Sequence, residues 1–298
     1  MDKVIITGVT GFFGRCLARK LLSEGVTVYG VARSESRLNE FKSYINFVPV
    51  IASLDKFLEL PGIIMDRDFD IFYHFAWEGG FTSAVRDYRL QMQNAGYAGD
   101  AVVAAREMRC GKFVYSGTYN QFEVMNFLAT DGFQPRWTCI YAAAKTSAGL
   151  ICRTLAYNLG IGYSAGLVPM PYGKYNYSRQ LANVVIDSLN KGTAPKLVEG
   201  NNKYDLVYIE DIVDAFIAIG EKGVNQREYY VGHRKLKTFK EWMMDIRDVI
   251  APGVELKFGE YKDNQQINYD EIDLDALYRD TEFECKANFK ETMLETAE

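Results

Sequence analysis

Two histidines, His74 and His233, are all that the 298 residues contain, and neither stands in an HExxH pattern or beside clustered cysteines. A zinc centre or a serine–histidine relay has little to be built from, and no metal site is expected. The five cysteines, Cys16, Cys110, Cys139, Cys152 and Cys285, are odd in number and scattered, with no CxxC spacing. They read as reduced, mostly buried thiols. An excess of positive charge is also missing: 34 lysines and arginines against 39 acids leave a net charge of −5. That argues against a broad surface for nucleic acid, and any anionic ligand must be met by local cations. No apolar run is long enough to span a bilayer, and MDKVIITG enters a strand pattern with no signal-peptide layout. A cytoplasmic protein with no membrane partner is expected.

What is present suits a folded globular protein. Hydrophobic residues at 48% and charged residues at 24% are the balance of a globular chain long enough for one large domain or two ordinary ones. Lys3-Val-Ile-Ile-Thr7 is a β-branched run suited to a buried strand. Gly8-Val-Thr-Gly11-Phe-Phe-Gly14 follows at once, and Cys16 to Leu22 carries apolar residues at helical spacing. In that strand–turn–helix context Gly8 permits a tight turn, Gly11 lets backbone approach a pyrophosphate, and Gly14 lets helix pack on strand. Thr10, Phe12 and Phe13 share the turn and join the candidate cofactor contacts.

The next strand, Val26 to Ala32, ends where a dinucleotide fold chooses its cofactor. An acid there would bond the ribose hydroxyl of NAD, whereas this chain has Arg33, followed by Ser34 and Arg37. A guanidinium suits the 2′-phosphate of NADP, so NADPH is expected ahead of NAD; a solvated surface arginine is the alternative. Phe47 to Ala52 reads as a third strand, with Ser53 and Leu54 placed against the adenine. Phe69 to Ala76 reads as a fourth, bringing Phe75, Ala76 and Trp77 above the cofactor, with His74 a structural residue at its end. A helix from about 86 to 108 contains Asn94, whose side chain is suited to stitching backbone. Lys112 to Thr118 is the fifth strand and ends in two hydroxyls, of which Thr118 is placed to bond a substrate oxygen and Ser116 reads as a satisfied strand-end group.

Tyr141-Ala-Ala-Ala-Lys145 places a phenol and an ammonium one helical turn apart, on one helix face. A phenol titrating near ~10 is a poor acid or base at neutral pH, and a neighbouring ammonium would draw that value down. Tyr141 is thus a candidate general acid/base. Together these residues give an α/β fold, a doubly wound parallel (Rossmann) sheet over residues 1–170. A smaller C-terminal substrate-binding lobe is expected from 171–204 and 221–298, with 205–220 returning to the sheet.

With Thr7-Gly-Val-Thr-Gly-Phe-Phe-Gly14, His74-Phe-Ala-Trp77, Asn94, Ser116-Gly-Thr118, Tyr141 to Lys145, Pro171-Tyr-Gly173 and Asp205 to Asp211 in place, the chain resembles the extended short-chain dehydrogenase/reductase family. This is the NAD(P)-dependent epimerase/dehydratase group, acting largely on nucleotide sugars. The resemblance implies that Thr118 bonds the sugar oxygen, Tyr141 exchanges its proton and Lys145 holds the nicotinamide ribose, with Pro169 beside the cofactor. It also implies substrate contacts from Trp77 and Tyr119, and a homodimer pairing the helices that carry Asn94 and Tyr141. The family's dehydratases carry an acid directly after the threonine, but Tyr119 and Asn120 stand here, so dehydratase chemistry is not expected. The family's usual arginine and asparagine are replaced by Tyr204 and Pro171, and no arginine stands in Gly259 to Gln265, where many members grip the diphosphate, so that Lys262 or Arg179 is expected to substitute. The reading that follows is an NADPH-dependent reductase of a nucleotide-linked 4-keto-6-deoxy sugar. The alternatives are an epimerase with tightly bound NAD(P) and a redox-sensing protein without turnover.

Overall fold

A computed structural model describes every residue except Phe81, Tyr177, Arg179 and residues 264–266. The first β-branched run is β1 (Lys3–Thr7), and the glycine turn leads into α1 (Phe12–Ser23), which buries Gly14, Leu17, Ala18, Leu21 and Leu22 on one face. Then come β2 (Thr27–Ala32), β3 (Phe47–Ile51), the short α2 (Leu60–Ile63), β4 (Ile71–His74), α3 (Tyr88–Glu107) and β5 (Lys112–Thr118). The chain continues through α4 (Gln121–Ala129), α5 (Thr138–Leu159), β6 (Gly162–Val168), β7 (Met170–Tyr172) and α6 (Leu181–Asn190). Next are β8 (Lys196–Val198), β9 (Lys203–Tyr204), β10 (Leu206–Tyr208), α7 (Ile209–Lys222) and β11 (Arg227–Tyr230). Last are β12 (Lys237–Thr238), α8 (Phe239–Ile250), β13 (Lys257–Tyr261), α9 (Ala276–Thr281) and α10 (Phe289–Ala297).

Seven parallel strands form the central sheet in the order β11-β6-β5-β4-β1-β2-β3. Strand order reverses between β1 and β4, so a crevice opens at their carboxyl ends, the switch point where doubly wound sheets bind ligands. Thr7 lies opposite both Val31 and His74 in the register. The glycine turn, the end of β2 and the end of β4 therefore converge.

Each face of the sheet has its own core. Helices α1 and α7 cover one face, where Val4, Ile6, Leu17, Leu21, Ile212 and Phe216 are buried together. On the other face α3 lies along α5, its Ala95, Ala98, Ala101 and Ala105 opposite Ala148, Cys152 and Ala156. Small residues at that contact let the two helix backbones approach closely. Gly99 is one of them, since a β-carbon there would stand 3.0 Å from the Ile151 side chain.

Residues 205–222 hold β10, which pairs in parallel with β7 in a two-stranded sheet apart from the central one, and α7, which packs with α1 on one face of the central sheet. One expectation is corrected: Arg227–Tyr230, placed by the sequence reading within the lobe of 221–298, is the edge strand β11, paired with β6. Its Tyr229 is fully buried against the α7 face, which is the burial that draws it into the sheet. The two acids of the 205–211 stretch tie the later chain down. Asp205 accepts from Tyr230 Oη at 3.0 Å and from the backbone N and Nδ1 of His233 at 2.9 and 2.7 Å. Asp211 accepts from the backbone N–H groups of Lys286 and Ala287 at 3.0 and 3.1 Å.

Candidate active site

The glycine turn leaves no room for side chains. Gly8 has φ +69° and a β-carbon there would lie 2.8 Å from Ala76 N, while one on Gly14 would lie 2.3 Å from Gly8 O. The turn closes by Gly11 N donating to Gly8 O at 2.9 Å. Gly11 then caps α1 with no side chain bonded to the first N–H groups of the helix. Those donors, at the positive end of the helix dipole and facing the crevice, suit a phosphate. The residues present thus fit a dinucleotide.

Two connected regions extend from this turn. One is lined by Gly8, Thr10, Phe12, Phe13, Phe75, Trp77, Ser116, Thr118, Tyr119, Tyr141, Lys145 and Pro169, which brings the expected catalytic set beside the expected cofactor turn. Tyr141 and Lys145 are 8% and 5% exposed. Burial pushes the Tyr141 phenol above its ordinary value, with a hydrogen bond from Thr118 as the opposing influence. The expected downward pull by Lys145 is not among the influences on the phenol, whose direction is set by desolvation, which penalises the phenolate. Burial likewise pulls Lys145 down, to about 7. Its Nζ donates to Ser116 O at 2.9 Å and lies 4.0 Å from the Trp77 ring centroid. Trp77 meets Tyr141 edge-on at 6.0 Å between centroids. Thr118 is held by Gln121, whose Oε1 accepts from Thr118 N at 3.0 Å, and its Oγ1 accepts from Asn120 Nδ2 at 3.3 Å.

The second region is lined by Ala32, Arg33, Arg37, Ala52, Leu54, Phe57, Ala76 and Glu78. Arg33 faces it as expected, but Arg33 also pairs with Glu78, Nη1 to Oε1 3.5 Å, with both side chains about half exposed. Leu54 joins the apolar wall. Ser53 does not: its hydroxyl donates to the Asp55 carboxylate instead, at the start of a 3-10 turn over Leu54–Glu59. His74 is structural, as expected. Its Nδ1 shares a hydrogen bond with Thr7 Oγ1 at 3.0 Å, and burial lowers its pKa to about 3.

On the substrate side Tyr119 is buried among Tyr230, Tyr269 and Ile272 as well as lining the cleft. Lys262 is exposed and is not among the described residues of the cleft wall. Arg179 lies outside the described residues. Sequence reasoning pointed to the loops of residues 119–125 and 172–179 as shaping substrate choice but singled out none of Arg15, Asn120, Tyr175, Asn176, Ser178 and Gln180, which line the same cleft. Asn176, Ser178 and Gln180 form one hydrogen-bonded cluster, and the density of amides and hydroxyls around Pro171-Tyr-Gly173 was the available signal. Gln91 was also missed. It is fully buried on α3 one turn before Asn94, and it accepts from the Trp77 indole N–H at 2.8 Å.

The described residues contain no helix long and apolar enough to cross a membrane. The model of the NAD dependent epimerase/dehydratase family matches residues 4–232. Protein CapI of Staphylococcus aureus is 24% identical over 77% of this chain and 72% of its own. A CDP-abequose synthase of Yersinia pseudotuberculosis is 23% identical over 88% of this chain and 90% of its own. Among solved structures, the UDP-glucuronic acid 4-epimerase of Bacillus cereus, in complex with UDP-glucuronic acid and NAD, superposes with a TM-score of 0.77 at 15% identity, covering 99% and 98% of the two chains. At that identity the likeness speaks for the fold, while the family match spans more than three quarters of the sequence. The glycine turn, the switch-point crevice and the Thr118, Tyr141 and Lys145 cluster thus belong to a member of the NAD-dependent epimerase/dehydratase family, an enzyme of the extended short-chain dehydrogenase type.

Proposed function

We propose that the protein is an NADPH-dependent oxidoreductase that reduces the keto group of a nucleotide-linked 4-keto-6-deoxy sugar. The observation that carries this reading is the grouping of Thr118, Tyr141 and Lys145 on the wall of one cleft with the glycine turn. When bound, the nicotinamide supplies the hydride. Thr118 Oγ1 donates to the keto oxygen, and Tyr141 gives up its proton as that oxygen gains charge. The Lys145 ammonium stabilises the phenolate left behind. Burial keeps the phenol protonated at neutral pH, which is the form that a reduction consumes. The substrate class is supported by the relatives, a CDP-abequose synthase and a 4-epimerase crystallised with a UDP-sugar.

NADPH is favoured by Arg33 and Arg37 at the end of β2, where a guanidinium would meet a 2′-phosphate. The second reading is an epimerase that keeps NAD(P) bound and returns the hydride to the same carbon. Glu78 favours it, because a carboxylate beside the adenosine end suits ribose hydroxyls. A homodimer through α3 and α5 accompanies either reading, since Met92, Leu150, Ile151 and Tyr157 are otherwise left in water. The deciding experiment offers a panel of keto sugar nucleotides with NADPH and follows absorbance at the nicotinamide band. Loss of absorbance with one of them supports the reductase. Interconversion of a sugar nucleotide and its epimer without added reductant would replace it with the epimerase.

A further inference from the structure

Lys145 is a buried cation whose contacts are unusual for a charge. Its ammonium meets the Ser116 carbonyl at 2.9 Å, the Trp77 ring at 4.0 Å and the Tyr115 ring at 5.1 Å, so two of three contacts are aromatic faces. Trp77 is itself fixed. Its indole N–H donates to Gln91 Oε1 at 2.8 Å, and the Gln91 amide donates to Gly79 O and Ala84 O at 3.3 and 2.9 Å. One turn further along α3, Asn94 exchanges two 3.0 Å hydrogen bonds with the main chain of Glu78.

We propose that Trp77 is a positioning residue for Lys145: anchored through Gln91, its ring face holds the ammonium in place beside Tyr141. The inference rests on the reading of Thr118, Tyr141 and Lys145 as the reacting set. A tryptophan face attracts a cation most strongly where water is excluded. An aliphatic side chain of similar bulk fills the space without that attraction, so the amine gives up its proton more readily. The titratable groups around Lys145 are Tyr115 from β5, Cys152 from α5 and His74 from β4, with Tyr141 of α5 against the same Trp77 ring. Burial keeps all four uncharged at neutral pH, so none masks the effect of the indole.

The test follows NADPH binding by nicotinamide fluorescence as pH is raised, comparing the unmodified protein with Trp77→Leu, Trp77→Phe and Gln91→Leu. Trp77→Leu should lower the pH at which binding weakens by about one unit, tenfold in the protonation equilibrium. Trp77→Phe, which keeps a ring face, should fall between, and Gln91→Leu should move the same way as Trp77→Leu. An unmoved midpoint in Trp77→Leu, or equal shifts for Leu and Phe, overturns the proposal. A second measurement needs no cofactor. In a Trp242→Phe background, which removes the indole that lies 5.8 Å from the titrating His233 ring, the remaining fluorescence of Trp77 and Trp137 should show a pH step that vanishes in Lys145→Met and shrinks in Gln91→Leu. A step that survives in Lys145→Met overturns the proposal even where another variant misfolds. Because this titration is independent of turnover, it decides the Trp77 contact even if no keto sugar is reduced and the reductase reading fails.

Discussion

Replacing Lys145 by Met should stabilise the protein while disabling it. Burial lowers the lysine from 10.5 to about 7. At about 1.4 kcal/mol per pH unit, that difference sets an upper bound of about 5 kcal/mol on the cost of carrying a charged Lys145 in the folded state, which the Ser116 carbonyl and the Trp77 ring reduce. The sign follows from proton linkage. Below pH 7 both folded and unfolded chains hold the proton, and the whole cost is present. Between 7 and 10.5 the unfolded chain still binds a proton that the folded one has lost, so stability rises with pH and the cost fades. Methionine has a similar flexible stem and no charge. The variant should therefore gain up to about 5 kcal/mol at pH 6, a rise in melting temperature of roughly 10 °C for a chain of this size. The gain should shrink steadily as pH approaches 10. Thermal melts of both proteins across that range measure it, together with NADPH binding, which should weaken in the variant. A variant no more stable than the parent at pH 6, or a gain independent of pH, would refute the account of Lys145 as a desolvated cation.

Three further outcomes are expected. Tyr141→Phe removes only a hydroxyl, so the fold and NADPH binding should survive while keto reduction slows by roughly two to four orders of magnitude; Thr118→Val should also spare binding and lower turnover, and unchanged rates would require another acid. Arg33→Ala should weaken NADPH by about 1.5–3 kcal/mol and NADH far less, whereas equal losses in parallel binding titrations would make Arg33 a surface residue paired only with Glu78. Light scattering at micromolar concentration should find a dimer, and a monomer would count against pairing through α3 and α5.

Local chemistry is what the sequence made readable. The bounds of β1 and β5, the turn at Gly8 to Gly14 and the shared helix face of Tyr141 and Lys145 all depend on residues within a few positions of one another. Steric limits on glycine and the helical repeat act at that range. The family pattern extended the reading to the doubly wound sheet, because its motifs stand at the ends of successive strands.

Only the tertiary structure decided what depends on meetings between distant segments. Burial of Tyr229 beneath the α7 face puts residues 227–230 in the sheet rather than in the lobe. Ser53 turns to Asp55 instead of the crevice, and Arg33 finds Glu78 across it, since neither partner is announced by spacing. The same holds for Gln91, which reads as an ordinary helix residue until α3 is laid against the loop that carries Trp77. The electrostatics of the tyrosine and lysine were the least legible, because proximity in the sequence predicts mutual attraction while the degree of burial sets the cost of charging either one. A chain can show which groups lie next to each other along a helix, but the water they lose is set by everything that packs over them.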